Sequence, residues 1–290
     1  MKTIGLVANP QKPEALRLAA ELADWLADRH VKTLIEPKPA ELIGREDIAV
    51  DTDTVYGADM VVVLGGDGTL LRAARLAGPK GTPILGVHLG KYGFITEIHP
   101  PDVKSALERV IEGDFQISER LMLSANLIRG GKTVFSASAL NDIVVSKGPL
   151  ARLLSLRLFA NERSIATYAA DGIIVASPTG STAYSLSAGG PVVDPNVKVM
   201  IITPICPHTL NARSLVVPDG ETVQIVGECE SDGEDVMMLT VDGQVGCEME
   251  RRDKVDIRRA GFCARIVYWN SMSFYDKLQQ RLKWGERFSS

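Results

Sequence analysis

Apolar residues in the first hundred positions fall into short runs that alternate between two kinds. "KTIGLVA", "VKTLIE", "MVVVL" and "PILGVHL" are compact and strand-like, whereas "PEALRLAAELADWLADR" and "TLLRAARLA" repeat apolar residues at helical spacing. A proline opens the first helical run, as helix starts favour. Strand alternating with helix predicts a Rossmann-like parallel sheet covered by helices over residues 1–100.

Residues 102–113, "DVKSALERVIEG", predict a helix closed by glycine. From Leu121 the character changes. "MLSANLI", "TVFSASALNDIVVS", "LLSLRLFA", "SIATYAA" and "GIIVAS" are short alternating runs punctuated by "RGGK" and "ANER", a hairpin pattern. "VKVMIITPI", "TVQIVG", "VMMLTV", "KVDIRR" and "ARIVYW" follow, with "PDGE" and "VDGQ" among them. Residues 101–270 are therefore expected to form a β-sandwich-like domain. "SFYDKLQQRLKW" returns to helical spacing, and residues 271–290 are expected to pack back on the first domain. The fold class is α/β plus all-β: an N-terminal Rossmann-like parallel sheet with helices, then a C-terminal β-sandwich-like domain.

Composition adds exclusions. The 290 residues are 45% hydrophobic and 23% charged, with a net charge of −4 and no basic stripe, so nucleic acid is not an expected partner. No apolar stretch approaches the roughly 18 residues of a membrane span, and the N-terminal run is too short for a signal peptide. Cys206, Cys229, Cys247 and Cys263 form no C-x-x-C pair, which argues against zinc and fits reduced packing residues in a cytoplasmic protein.

Three stretches carry candidate chemistry. "GGDGT", Gly65–Thr69, lies between a buried strand and a helix, where glycines let backbone N–H groups approach a phosphate. A carboxylate there, Asp67, would be repelled by phosphate unless it takes a proton from an attacking hydroxyl, holds a metal ion, or both. The alternative is a helix-capping aspartate. The loop matches neither the Walker pattern nor G-x-G-x-x-G. "DGIIVASPTGSTAYSLSAGGPVVDP", from Asp171, offers hydroxyls and amides with little bulk to a flat ligand, or else a small-residue helix packed on a sheet. In "LNDIVVSKG", Asn141 and Asp142 can grip a ribose diol, or form a polar turn.

"GGDGT", "LND" and "DGIIVASPTGSTAYSLSAGGP" stand in the order and spacing of the NAD kinase family, and "GVHLGKYGFITEI" resembles its G-x-L-G-F-L segment. The first motif is shared with diacylglycerol and sphingosine kinases and is similar to a phosphofructokinase loop. The long third stretch is far more specific. The resemblance covers most of the chain and implies transfer of a phosphoryl group from ATP, or in some members polyphosphate, to the adenosine-side 2′-hydroxyl of NAD.

By that resemblance Asp67 is the proton acceptor, flanked by Gly66 and Gly68, and Mg2+ or another divalent metal offsets the donor's charge. Asn141 and Asp142 match the family's Asn-Glu pair, the acid being one methylene shorter here. Asp171, Thr182, Ala183, Tyr184, Ser185, Leu186 and Ser187 match the NAD-contacting stretch. Arg72, Arg152 and Gln244 are further NAD contacts by resemblance, against surface ion pairs for the arginines, and Phe94 would border the adenine or simply be packed. His88 and Tyr92 stand where asparagine and leucine are common; His88 is a base or a packed residue, and His208 is structural. A homodimer or homotetramer is implied. A lipid kinase and an NAD-binding sensor without catalysis are the competing readings.

Overall fold

The computed structural model describes residues 1–90, 93–95, 98–148, 154–209, 211–228, 236–269 and 273–282. The chain forms two compact units, Met1–Glu119 with Arg265–Ser290, and Arg120–Ala264. The boundaries expected near residues 100 and 270 fall instead at Glu119/Arg120 and Ala264/Arg265. The helix over 102–113 goes with the first unit because its buried residues Val103, Leu107 and Val110 join the first unit's core.

The chain opens with β1 (Thr3–Ala8), α1 (Pro13–Ala27), β2 (Lys32–Ile35), α2 (Pro37–Ile43), α3 (Thr52–Tyr56), β3 (Met60–Gly65), α4 (Asp67–Ala77), β4 (Ile84–His88) and α5 (Val103–Glu112). β1 pairs in parallel with β2 and β3, and β3 with β4, in the order β2-β1-β3-β4. Successive strand residues face opposite ways. Ile4, Leu6, Met60, Val62, Leu64, Leu85 and Val87 thus share one core with Leu18 and Leu22 of α1 and with α5. The short α2 and α3 have no run long enough for a helical period to show, and the sequence pattern does not predict them. Gly113 ends α5 in the left-handed conformation, φ +83°, that glycine tolerates.

The second part runs through β5 (Gln116–Arg129), β6 (Lys132–Ala139), β7 (Asp142–Lys147), β8 (Leu154–Ala160), β9 (Arg163–Ala170), β10 (Gly172–Ala176), α6 (Tyr184–Ser187), β11 (Val199–Ile205), β12 (Leu215–Pro218), β13 (Val223–Glu228), β14 (Met237–Val241), β15 (Val245–Met249) and β16 (Lys254–Tyr268). α7 (Phe274–Leu282) follows. One antiparallel sheet has the order β12-β11-β10-β7-β14-β15. In the other, β13 lies between β16 and β8, and β9 flanks β8. Ile143, Val145, Ile173 and Leu239 of the first sheet share a core with Leu156, Ile225, Val255 and Ile257 of the second, a sandwich. The runs "KVDIRR" and "ARIVYW" belong to a single strand, β16, whose last part pairs Ile266 in parallel with Ile84. Cys206, Cys247 and Cys263 are free thiols. No described helix is long and apolar enough to cross a membrane.

Candidate active site

In the first unit the chain leaves β3 through Gly66, which precedes the first residue of α4, Asp67. Gly66 accepts from the N–H groups of Thr69 and Leu70 through its carbonyl, which closes the turn. Gly66 makes no side-chain cap, and Asp67 stands inside the helix rather than capping it. Its carboxylate Oδ2 accepts the Phe94 N–H at 3.1 Å. A Cβ at Gly93 would overlap that carboxylate, so glycine is required there for the segment to lie on Asp67. Arg281 of α7 donates to the Gly93 carbonyl and sits over the Phe94 ring, 5.4 Å from its centroid. Gly68 is exposed.

Arg72, one turn into α4, is ion-paired with Glu36: its two terminal nitrogens donate at 2.9 and 2.6 Å. Burial opposes the Glu36 charge, but Arg72 and the Thr52 hydroxyl outweigh it and hold the carboxyl below the usual range. His88 is buried at the end of β4, its backbone N–H on the Ile98 carbonyl at 2.8 Å. Tyr92 lies outside the described residues.

In the second unit Asn141 and Asp142 sit where β6 gives way to β7. Asp242 accepts three successive backbone N–H groups there: Leu140 at 3.0 Å, Asn141 at 2.8 Å and Asp142 at 3.2 Å. On the carbonyl side, Ser177 donates its hydroxyl to Leu140 and its N–H to Asn141. Gly180 presses on the same backbone, its would-be Cβ only 2.5 Å from the Asn141 carbonyl carbon. The corner is clamped from both sides. Asn141 Oδ1 and Thr179 Oγ1 are buried and, among the described residues, have no hydrogen-bond partner. Asp142 is 5% exposed. Burial, and then the Asp242 carboxylate, push its pKa up to about 7.

The remaining positions divide. Asp171 is ion-paired with Lys147 at 2.7 Å. It adjoins Gly172, while Ala176 at the far end of β10 faces Asp142. Four strand steps separate the two ends, about 13 Å at ~3.3 Å per residue. One ribose therefore cannot meet both Asp171 and Asn141 of the same chain. Thr182 closes a short helical turn by donating to the Thr179 carbonyl, Ala183 links it to α6, and Tyr184 and Ser187 are exposed. Leu186 is half-buried, and Ser185 is fully buried with its hydroxyl 3.0 Å from that of Thr203. Gln244 is exposed at the β14–β15 turn, where Asp242 and Gly243 both have positive φ. His208 pairs its backbone N–H with Ala169. Arg152 lies outside the described residues. Asp242 and Ser177 escaped the sequence reading because "VDGQ" reads as a turn and "ASP" as a strand end.

Two family models match: one described as the ATP-NAD kinase N-terminal domain over residues 4–115, the other as the ATP-NAD kinase C-terminal domain over 140–268. The chain belongs to the NAD kinase family. An NAD kinase of Geotalea daltonii is 45% identical over 287 residues, covering 99% of this chain and 100% of that protein. An NAD kinase of Moorella thermoacetica is 45% identical over 285 residues, covering 98% and 90%. Among solved structures, yeast NADH kinase complexed with NADH superposes with a TM-score of 0.90 at 25% identity, covering 99% of this chain and 89% of that one. An NAD kinase from Archaeoglobus fulgidus in complex with ATP shares the fold, with a TM-score of 0.74 at 21% identity and 98% of each chain covered.

Proposed function

We propose that this protein phosphorylates the 2′-hydroxyl of the adenosine ribose of NAD, with ATP as donor, to make NADP. The observation that carries the reading is Asp67: a carboxylate set inside a glycine turn at a helix start, in a chain of the NAD kinase family. In the reaction the hydroxyl oxygen bonds to the terminal phosphorus of ATP, the bond from that phosphorus to the bridging oxygen breaks, and ADP leaves. Asp67 takes the hydroxyl proton. The turn's backbone supplies N–H groups and the start of α4 its positive end to the donor phosphates.

Asn141 suits the ribose side, because its buried Oδ1 has no described partner and can accept from a sugar hydroxyl. Asp142, Asp171, Thr182, Ala183, Tyr184, Ser187 and Gln244 remain proposed NAD contacts, with Asp171 engaging a part of the dinucleotide remote from Asn141. Ser185 supports that surface from behind, through Thr203, and Arg72, paired with Glu36, is a further proposed NAD contact. Phe94, through its N–H, sets the Asp67 carboxylate. A divalent ion would enter as part of the donor, Mg-ATP. It would neutralise charge on the phosphates. The proposed setting is the cytoplasm and the proposed assembly a homodimer or homotetramer.

The test is a coupled assay: purified protein, Mg-ATP and NAD, with NADP read by a dehydrogenase that accepts only NADP. NADP formation is expected. Absence of NADP from NAD and of NADPH from NADH, with ATP and with polyphosphate alike, would contradict the reading.

A further inference from the structure

We infer that Lys12 binds the phosphate chain of the donor, a role that rests on the phosphoryl-transfer reading above. β1, β3 and β4 are parallel neighbours whose ends are level: Ala8 faces Leu64, and Gly65 faces His88. The loops that follow them therefore leave the same edge of the sheet, which in open parallel sheets is the ligand-binding edge. Backbone bonds tie these loops together, Asn9 N–H to Leu64 and Leu89 N–H to Gly65.

Lys12 closes the first of these loops. Its N–H donates to the Asn9 carbonyl, Gln11 N–H to the Asn9 side chain, and Pro13 then starts α1. Those restraints send the side chain along the edge rather than into water. The ammonium donates to the Leu89 carbonyl at 2.6 Å. A Cβ at Gly66 would stand 3.9 Å from it and one at Gly90 3.6 Å, so it faces bare backbone on both loops. Gly90 reaches that position with φ +116°, which only glycine adopts without strain.

An ammonium has three N–H groups, and the Leu89 carbonyl takes one. The others are available to an anion seated on the glycine turn. Charge makes the assignment specific. A phosphate chain on this turn lies beside the Asp67 carboxylate and needs a compensating cation. Arg72, one turn along α4, has its guanidinium committed to Glu36. Lys12 brings a positive charge to Gly66 from a different loop. The ligand is an anhydride-linked phosphate chain, which ATP and inorganic polyphosphate share.

The experiment is a titration of the full-length protein with Mg-ATP by calorimetry, comparing wild type, Lys12→Met and Lys12→Arg, with NAD titrated in parallel. Lys12→Met is expected to weaken ATP binding about tenfold or more, as loss of a charge-assisted phosphate contact does, with NAD affinity within about twofold of wild type. Lys12→Arg should recover much of the ATP affinity. The same loss with polyphosphate would assign Lys12 to the shared chain; a loss confined to ATP would narrow it to the nucleotide-linked phosphates. ATP affinity unchanged in Lys12→Met, a wild type that binds neither donor, or equal losses for ATP and NAD with a lowered melting temperature in both variants would overturn the inference. The last result would make Lys12 only a tie between loops. Wild-type turnover is assayed separately, so failure of the kinase reading is distinguishable from failure here.

Discussion

Around Asp67 the closest contact is between a glycine and the end of a side chain, whereas around Asn141 it is between a glycine and backbone. Gly93 lies on the Asp67 carboxylate, and Gly180 lies on the Asn141 peptide. A carboxylate can swing aside by rotating two bonds. A peptide held by Asp242 on its N–H side and Ser177 on its carbonyl side cannot. The two regions therefore fail in different ways. The glycine-turn region can lose its chemistry while keeping its fold; the Asn141 corner is part of the fold itself.

Adding one methyl group to each region puts that contrast to the test. Gly180→Ala is expected to cost about 3 kcal/mol of stability, the upper end of ordinary overpacking, because no neighbouring atom can give way. Denaturant unfolding measures it, and a loss under about 1 kcal/mol would show that the corner yields. Gly93→Ala should leave stability within about 1 kcal/mol but lower turnover ~100-fold, about 2.7 kcal/mol at the transition state, by displacing Asp67. If it unfolds the protein instead, the two regions are equally rigid.

The smallest effect is a pH dependence confined to the Asn141 corner. Asp142 titrates near 7 in the fold against an ordinary value of 3.8. Between those values the folded chain keeps a proton that the unfolded chain has lost, so this residue's contribution falls as pH rises from about 4 to about 7. Asp142→Asn removes the titrating group. Its stability relative to wild type is expected to improve by about 2 kcal/mol between pH 5 and pH 8, within the ceiling of ~1.4 kcal/mol for each tenfold change in proton affinity. A constant difference across that range would mean that Asp142 titrates normally.

The alternation of short apolar runs with helical spacing made the parallel sheet legible, because buried strands and amphipathic helices leave different periods. The hairpin at Gly130–Gly131 was legible too, since positive φ at both turn residues favours glycine, and at Asn161–Glu162 the asparagine is the residue of the favoured kind. What stayed hidden depends on long-range contacts. Asp242 reaches a segment 100 residues away, and nothing in "VDGQ" distinguishes that from a plain turn. Lys12 gains its place from strand order, which a local pattern does not carry. Ser185 and Arg72 lie in motif-like stretches, yet their polar groups are spent on Thr203 and Glu36. Side-chain direction in a short irregular segment is set by tertiary packing, and four-residue α6 has no period to reveal it.

The most direct test of the proposed chemistry is Asp67→Asn, assayed for NADP formation and for NAD binding on the same preparation. The substitution keeps the size and an acceptor for the Phe94 N–H while removing the base. Turnover is expected to fall by at least about 10²-fold, the range for removing a general base, with NAD affinity within about threefold of wild type. Unchanged turnover would take Asp67 out of the reaction.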